Sequence, residues 1–319
     1  MSIAKKLIII LFTLFIACGE SPKKEEIVDK NLLPGLEGFW KRIGTIQTVN
    51  DIPVDTIFIG ESETPELRQI KVFYNGHIAW MNNDYNQSNP WTGGTGMYGK
   101  YKINSEESIT ESISHGSGGS VNWIHSYKDS LGVNYRDVNL GISLSGNYHS
   151  LNVPPVFGGM EGIDETQNPT AYMELWEKMP EINPETKADG VWKRVYEIQY
   201  VNGIPVDTVS VPSDGTLDVH FRKNGRFLYQ VDNAGISEPG DDLYWGYGGY
   251  GQYDLIDEKS IMEYHEYVSG RVGKVRPQTT SKTNGGRLEL EFYNDNMFKQ
   301  VQIDSMGKST RGVVYRRAN

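Results

Sequence analysis

The segment GFWKRIGTIQTVNDIPVDTI at residues 38–57 recurs as GVWKRVYEIQYVNGIPVDTV at residues 190–209. The two segments are identical at 13 of 20 positions, at a constant offset of 152 residues, where ordinary composition gives roughly one or two matches. The same offset relates YGKY at residues 98–101 to YGQY at residues 250–253. The chain therefore contains two copies of one domain, which we place at residues 36–179 and 189–319 with a linker at residues 180–188.

Each copy shows strand patterns and almost no helical periodicity. In the second copy large and polar side chains alternate over residues 192–200, and Asn202-Gly203 then gives a strong hairpin signal. Asn75-Gly76 and Asn224-Gly225 mark a further hairpin in each copy. More strands are predicted at residues 97–104, 107–115, 137–145, 147–153 and 171–178, and at the equivalent places in the second copy. The sequence thus predicts an all-β protein of two antiparallel up-and-down β-barrels, with eight to nine strands each.

Short motifs in both copies resemble a known family. Gly38-Phe39-Trp40 and Gly190-Val191-Trp192 resemble the Gly-x-Trp signature of lipocalins and the wider calycin group. GKYKI at residues 99–103, SITE at 108–111 and YMELWEK at 172–178 resemble lipocalin-like domains of unknown function in secreted and lipoprotein chains of Bacteroidota. The resemblance covers nearly all of both copies. It implies calycin-type barrels, each with an interior that can hold one small ligand.

The resemblance also implies how each barrel is closed. In lipocalins a cation from the last strand covers the tryptophan of the first strand. The corresponding pairs here are Lys178 over Trp40 and Arg317 over Trp192, and each contact contributes about 0.5–2 kcal/mol. We expect these four residues to be structural and not to bind ligand.

The N-terminus is typical of a bacterial lipoprotein. Lys5-Lys6 precede an apolar run at residues 7–17, which is the layout of a signal peptide and is too short to span a bilayer. FIACG at residues 15–19 resembles a lipobox, and Cys18 is the only cysteine of the chain. We therefore predict a signal peptide at residues 1–17 and a lipidated terminus with a flexible tether at residues 18–35. The alternative is a chance cysteine at the end of an ordinary signal peptide.

This terminus predicts export and anchoring in a membrane through lipid on Cys18. Position 19 is not Asp, which resembles the pattern of lipoproteins that are sorted to the outer membrane. The prediction leaves two alternatives, the periplasmic face and the surface face of that membrane. The formal net charge of −10 argues against nucleic acid as a partner.

Two aromatic, glycine-rich segments are the candidates for ligand contact. They are WTGGTGMYG at residues 91–99 and YWGYGGYG at residues 244–251. Such a segment can act as a lid over a barrel mouth or simply pack its rings on the rim. The candidate ligand-binding residues are Trp91, Tyr98, Tyr101, Trp245, Tyr250 and Tyr253, and an interior void lined by residues such as Tyr101, Tyr253, Phe73 and Phe221 would support ligand binding.

Glu111 and Glu263 occupy matching strand positions beside isoleucines. If the isoleucines face the interior, both carboxylates are buried and need a cation, for which Arg42 and Arg194 of the first strands are candidates. A buried ion pair that fixes the barrel register is one interpretation. A ligand-binding acid is a second, and catalytic use is a third.

The sequence offers no catalytic group and no metal site. The six histidines lack metal-ligand spacing, and no nucleophile motif is present. We therefore predict a protein without enzymatic activity, metal or cofactor, which binds a small apolar or amphipathic ligand or an envelope partner. The alternative is a structural or surface-interaction module of the envelope with filled barrels.

Overall fold

The computed structural model describes residues 32–50, 52–58, 68–83, 95–118, 136–153, 170–211, 217–232, 246–270 and 285–318. Within these ranges every regular element is a β-strand. The first copy contains β1 (Gly38–Val49), β2 (Ile52–Phe58), β3 (Arg68–Tyr74), β4 (His77–Asn83), β5 (Thr95–Ser105), β6 (Ser108–Gly118), β7 (Arg136–Ser145), β8 (Tyr148–Val153) and β9 (Thr170–Lys178). The second contains β10 (Gly190–Val201), β11 (Ile204–Ser210), β12 (Leu217–Lys223), β13 (Arg226–Asp232), β14 (Tyr247–Asp257), β15 (Ser260–Gly270), β16 (Gly286–Asn294), β17 (Met297–Ile303) and β18 (Ser309–Arg317).

Each set of nine antiparallel strands forms one sheet that closes on itself. In the first copy the order is β2-β1-β3-β4-β5-β6-β7-β8-β9, and β1 also pairs with β9. Residues 38–41 of β1 pair with β3, whereas residues 44–49 pair with β2. Eight strands therefore close the barrel, and β2 is an additional strand beside β1. The second copy repeats this order with β10–β18, so the prediction of two antiparallel up-and-down barrels is confirmed.

The Asn-Gly pairs form the tight turns that the sequence predicts. Asn75 and Gly76 have φ values of 51° and 76°, and Asn224 and Gly225 have values of 50° and 87°. A two-residue hairpin loop of this kind requires positive φ at both central residues, which asparagine and glycine tolerate best. These turns fix the register of β3 with β4 and of β12 with β13.

Glycine is required before the tryptophan at the closed end of each barrel. Gly190 has a φ of 154°, and a Cβ there would lie 2.6 Å from Nη1 of Arg317 and 2.9 Å from Nε1 of Trp192. Gly38 has a φ of 136°, and a Cβ there would lie 3.0 Å from Cε of Lys178. The Gly-x-Trp motif therefore makes room for the cation that covers the tryptophan.

The linker between the copies is packed on the second barrel. The backbone N–H groups of Ile182 and Asn183 donate to the carbonyl of Asn224, and Arg226 Nε donates to the carbonyl of Pro180. On the N-terminal side, Leu33 is buried in the first core. The packed part of the chain therefore includes Leu33, which lies inside the tether that the sequence predicts at residues 18–35.

The two barrels pack against each other through apolar side chains on their outer faces. The joint cluster includes Ile70, Val72 and Tyr98 of the first barrel and Val219, Phe221 and Tyr250 of the second. Tyr74 and Lys223 are equivalent positions before the Asn-Gly turns, and they meet each other, with Nζ of Lys223 4.4 Å from the centre of the tyrosine ring. Contact between equivalent residues is typical of an approximate two-fold axis between the copies.

In the part of the chain with described coordinates, no helix is long and apolar enough to cross a membrane.

Candidate functional site

The second barrel contains a polar cavity of about 210 Å³ that is partly open to solvent. All eight strands of the closed barrel contribute to its lining, which consists of Arg194, Asp218, His220, Tyr229, Val231, Tyr247, Glu263, His265, Gly286, Leu288, Gln300, Gln302, Arg311, Val313 and Tyr315. At ~30 Å³ per molecule this is the space of about seven waters, less than the ~300 Å³ or more of pockets for drug-sized ligands. The cavity therefore suits a small polar molecule.

Three large side chains of the first barrel are replaced by smaller ones in the second. Trp176 pairs with Arg42, and at the equivalent place Tyr315 pairs with Arg194. Met97 pairs with Trp80 in the first barrel, and Gly249 pairs with Tyr229 in the second. The equivalent replacements are therefore Trp176 by Tyr315, Trp80 by Tyr229 and Met97 by Gly249. Each one removes volume from the interior.

Asp218, His220 and Arg194 form one wall of the cavity. Nε of Arg194 lies 2.9 Å from Oδ2 of Asp218, and Nε2 of His220 lies 3.4 Å from Oδ1 of the same carboxylate. His220 Nε2 is also 3.1 Å from the hydroxyl of Tyr315. The His220 ring stacks on Tyr229, with centres 5.1 Å apart and planes at 16°. This wall offers hydrogen-bonding edges beside an aromatic face.

Arg222 and Glu263 form the deepest ion pair of the second barrel. Arg222 is fully buried, and its Nη2 donates to Oε1 of Glu263 at 2.6 Å and to Oε1 of Gln300 at 2.5 Å. Its Nε and Nη1 atoms are buried without a hydrogen-bond partner. Glu263 and Gln300 line the cavity, so the pair lies at its wall.

Neighbouring side chains lower the pKa of both cavity carboxylates, Arg222 that of Glu263 and His220 with two arginines that of Asp218. Burial acts to raise the pKa of Glu263, but the charge of Arg222, with smaller effects of His265 and His220, holds this pKa below its ordinary value of 4.5. Burial also acts to raise the pKa of Asp218, but its contact with His220 and the charges of Arg194 and Arg311 hold it below 3.8. Both groups therefore act as hydrogen-bond acceptors and not as acids.

A third ion pair lies at the open side of the cavity. Nε of Arg311 is 2.8 Å from Oε1 of Glu197, and Nη1 of Arg194 is 3.2 Å from Oε2 of the same carboxylate. Arg311 is about half exposed, with 45% of its side chain accessible. The guanidinium of Arg311, which lines the cavity together with that of Arg194, therefore lies next to solvent.

The first barrel carries a different polar group at the equivalent height. Nζ of Lys71 is 3.0 Å from Oε1 of Glu111 and 3.9 Å from Oε2 of Glu174. Burial raises the pKa of Glu111 more than Lys71 lowers it. Next to this pair, His149 is packed between Trp40 and Trp176, and burial lowers its pKa to about 2. Large rings and one ion pair thus occupy this interior.

The structure places Glu111 and Glu263 inside their barrels, but the expected cations are wrong. Lys71 of β3 and Arg222 of β12 are the partners. Arg42 instead donates a hydrogen bond to Gln69 and forms an ion pair with Glu174. Arg194 forms an ion pair with Asp218. Charged and apolar residues alternate along β3 and β12. The apolar ones pack between the barrels, so the charged ones face the barrel interiors.

Tyr98 and Tyr250 lie in the interface between the barrels, not at a barrel mouth. Both are buried in the joint apolar cluster, and the Tyr98 ring lies 6.1 Å from that of Phe221. The hydroxyl of Tyr98 is 2.8 Å from Nδ1 of His77. The glycine-rich segments therefore lead into strands whose outward rings hold the two copies together.

Tyr101 and Tyr253 lie inside the barrels but away from the cavity. The Tyr253 hydroxyl donates to Oδ1 of Asp189 at 2.5 Å, and that of Tyr101 donates to Oε1 of Glu37 at 3.4 Å. Both acceptors precede the first strand of their copy, at the end closed by tryptophan. Tyr101, Tyr253, Phe73 and Phe221, which were the residues expected to line a ligand-binding void, do not line this cavity. Trp91 and Trp245 lie outside the described residues.

The residues expected to close the barrels are in contact. Nζ of Lys178 lies 5.4 Å from the ring centre of Trp40, and Cζ of Arg317 lies 4.2 Å from that of Trp192. Both tryptophans are fully buried, and each donates its ring N–H to a backbone carbonyl four residues earlier, at 2.8 Å. The guanidinium lies closer to its ring than the ammonium does.

A larger and more open concavity of about 1480 Å³ also borders the second barrel. Its lining combines exposed side chains, such as Glu258, Lys259 and Glu289, with apolar ones, such as Ile261, Leu290 and Phe292. It does not gather the buried ion pairs, so we assign the site to the smaller cavity. Among the described residues, no three side chains of His, Cys, Asp or Glu come together to hold a metal ion.

Asp218, His220 and Arg222 are site residues that the sequence analysis missed. They alternate with Val219 and Phe221 in β12, and this period-two pattern of polar residues was the available signal. The apolar set of the strand was assigned to the interior instead.

Comparisons with known proteins give no close relative. The chain matches no protein-family model and has no significant match among curated proteins. One similar solved structure is a candidate outer membrane protein of Bacteroides fragilis, with 8% identity, a TM-score of 0.22, and coverage of 89% of this chain and 98% of that one. Another is a protein of unknown function of the DUF3598 family from Nostoc punctiforme, with 8% identity, a TM-score of 0.21, and coverage of 88% and 96%.

Proposed function

We propose that the protein is a lipid-anchored binding protein of the bacterial cell envelope, whose second barrel holds a small polar ligand. The observation that carries this proposal is the cavity of about 210 Å³ inside that barrel, with ion pairs and aromatic rings in its lining. In small-molecule sites, convergent polar groups fix the orientation of the ligand. The ligand class differs from the apolar or amphipathic molecule that the sequence led us to expect.

The anchor in this proposal is lipid on Cys18, in the outer membrane. Cys18 follows an apolar run that has the layout of an export signal, and it is the only cysteine of the chain. The polar residues after it would act as a tether between the lipid and the packed residues that begin near Leu33.

The two cavity carboxylates are poor candidates for a general acid. His220 and two arginines lower the pKa of Asp218, and Arg222 lowers that of Glu263, so neither is suited to donate a proton at neutral pH. Both are also engaged by neighbouring side chains, as expected of groups that position a ligand.

A scaffold role remains the second candidate, and the first barrel favours it. Its interior is occupied by Trp40, Phe73, Trp176 and the ion pair of Lys71 with Glu111. The outer face of this barrel supports the second one. If both barrels acted in this way, the protein would be a structural or surface-interaction module.

Native mass spectrometry separates these two functions. The chain from Gly19, which retains every described residue, would be purified from its own host and from an unrelated one. We expect a bound small molecule of reproducible mass, or a gain in melting temperature with members of a panel of sugars, amino acids and short carboxylates. An empty protein that responds to none of these would contradict binding and favour the scaffold.

A further inference from the structure

Each of the three arginines at the cavity is paired with a carboxylate. Arg194 pairs with Asp218, Arg222 with Glu263, and Arg311 with Glu197. A buried ion that lacks a partner is strongly unfavourable. A ligand with a net charge would therefore either remain unpaired in the cavity or take a partner from one of these pairs. An uncharged ligand leaves all three pairs intact.

Each pair also offers donors and acceptors side by side. A guanidinium can only donate hydrogen bonds and an ionised carboxylate can only accept them, whereas a hydroxyl does both. A hydroxyl group can therefore bridge Arg194 and Asp218, or accept from an amide of Gln300 or Gln302 while it donates to Glu263. Several such groups line a space only a few waters wide, which favours a ligand with several hydroxyls.

Aromatic rings supply the other surface of the cavity. Tyr229 stacks on His220, and Tyr247 meets Tyr229 edge to face with ring centres 6.3 Å apart. Val231, Leu288 and Val313 form the aliphatic part of the lining. Faces of this kind pack against the C–H groups of a ring that carries its hydroxyls at the edge.

We propose that the ligand is an uncharged, polyhydroxylated molecule of the size of one sugar ring. This inference rests on the proposed function, because it names the chemistry of the ligand in the same cavity. It excludes small carboxylates and amines as preferred ligands, since each would upset the balance of the three ion pairs.

A set of sugars matched in shape and different in charge tests the proposal. Isothermal titration calorimetry and saturation-transfer NMR would compare D-glucose, D-galactose and D-mannose with their uronic acids and 2-amino-2-deoxy forms. We expect at least one neutral sugar to bind, and its acid and amine to bind at least about tenfold more weakly. Tighter binding of an acid or an amine would overturn the inference while leaving the proposed function intact.

Two variants locate the binding. Tyr229→Leu removes an aromatic ring and a hydroxyl from the cavity lining and should weaken the neutral sugar at least about tenfold, whereas Trp80→Leu changes the equivalent residue of the first barrel and should leave affinity unchanged. Melting curves would confirm that both variants fold. Equal affinity for Tyr229→Leu and the unchanged protein would overturn the inference. If none of the nine sugars binds and the protein from its own host is also empty, the inference and the proposed function both fail.

Discussion

Gln230 of the second barrel packs directly on Gly96 of the first, where a Cβ would collide with its amide group. Gly248 is equivalent to Gly96, and Met81 is equivalent to Gln230. These two residues make the mirrored contact, since Gly248 packs on Met81. Gln230 is held in place by hydrogen bonds with Ser117 and with the carbonyl of Trp80. The duplicated barrels therefore share one rigid interface around an approximate two-fold axis, and this interface takes up the apolar faces of β3 and β12.

Gly96→Ala should destabilise the protein by roughly 1–3 kcal/mol, because the new methyl group overpacks a buried contact. Urea unfolding followed by tryptophan fluorescence measures this loss. Gly286→Ala is the control, since a Cβ there meets no atom within 4 Å. Equal stability of the two variants would show that Gln230 yields freely and that the interface is not rigid.

The losses of stability caused by Glu263→Gln and by Glu111→Gln should differ in size and in pH dependence. Arg222 donates hydrogen bonds to Glu263 and Gln300. Glu263→Gln removes the charged one of these two partners, so we expect a loss of about 3–5 kcal/mol in the free energy of unfolding near pH 7. Glu111→Gln should cost less, because Lys71 retains Glu174 at 3.9 Å.

The sign of the pH effect follows from the two pKa shifts. The folded pKa of Glu263 is lowered, so its stabilisation is present above the unfolded pKa and is lost as pH falls through the folded pKa. The folded pKa of Glu111 is raised, so its contribution is present below the unfolded pKa and is lost as pH rises through the folded pKa. Unfolding curves from pH 3 to 8 for each variant test this, and parallel curves would contradict it.

Gly190→Ala should be more damaging than Gly38→Ala. The new Cβ at Gly190 meets Arg317 and the Trp192 ring itself, whereas at Gly38 it meets the flexible end of Lys178. We expect a loss of about 1–3 kcal/mol for the positive φ alone, a larger total at Gly190, and a red shift of tryptophan emission. An equal effect at both sites would argue against the packing role of Arg317.

Cys18→Ser should abolish incorporation of an alkyne-labelled fatty acid and release the protein from the membrane fraction, because this residue is the only thiol of the chain. Ser21→Ala, three residues later, is the matched control and should keep both properties. Label that persists on Cys18→Ser would contradict the lipoprotein interpretation.

The fold was predictable because its signals are local. Alternation along the strands and the Asn-Gly turns at residues 75–76 and 224–225 define hairpins without knowledge of the rest of the chain. The repeat at residues 38–57 then gave two copies of the same meander.

The site was not predictable, since it depends on which strand face points inward. The offset between the copies is 152 residues at Trp40 and Trp192 but 149 at the turns of Asn75 and Asn224. Phe73 and Phe221 are 148 residues apart and therefore lie on opposite faces, one inside its barrel and one between the barrels. A register error of one residue moves every side chain of a strand to the opposite face. In β12 the apolar face is covered by the other barrel and not by the interior, so the alternation of this strand predicted the wrong inward face.

The most direct test of ligand binding in the second barrel compares two equivalent substitutions. Leu288 lines the cavity and pairs with Ile261, and Leu140 pairs with Ile109 at the same place in the first barrel. Native mass spectrometry would be recorded on the unchanged protein, Leu288→Phe and Leu140→Phe, each purified from its own host and checked for folding by its melting curve. We predict that the bound mass is lost from Leu288→Phe and retained by Leu140→Phe. Retention of the mass by a folded Leu288→Phe, or its loss only from Leu140→Phe, would contradict a ligand site in the second barrel.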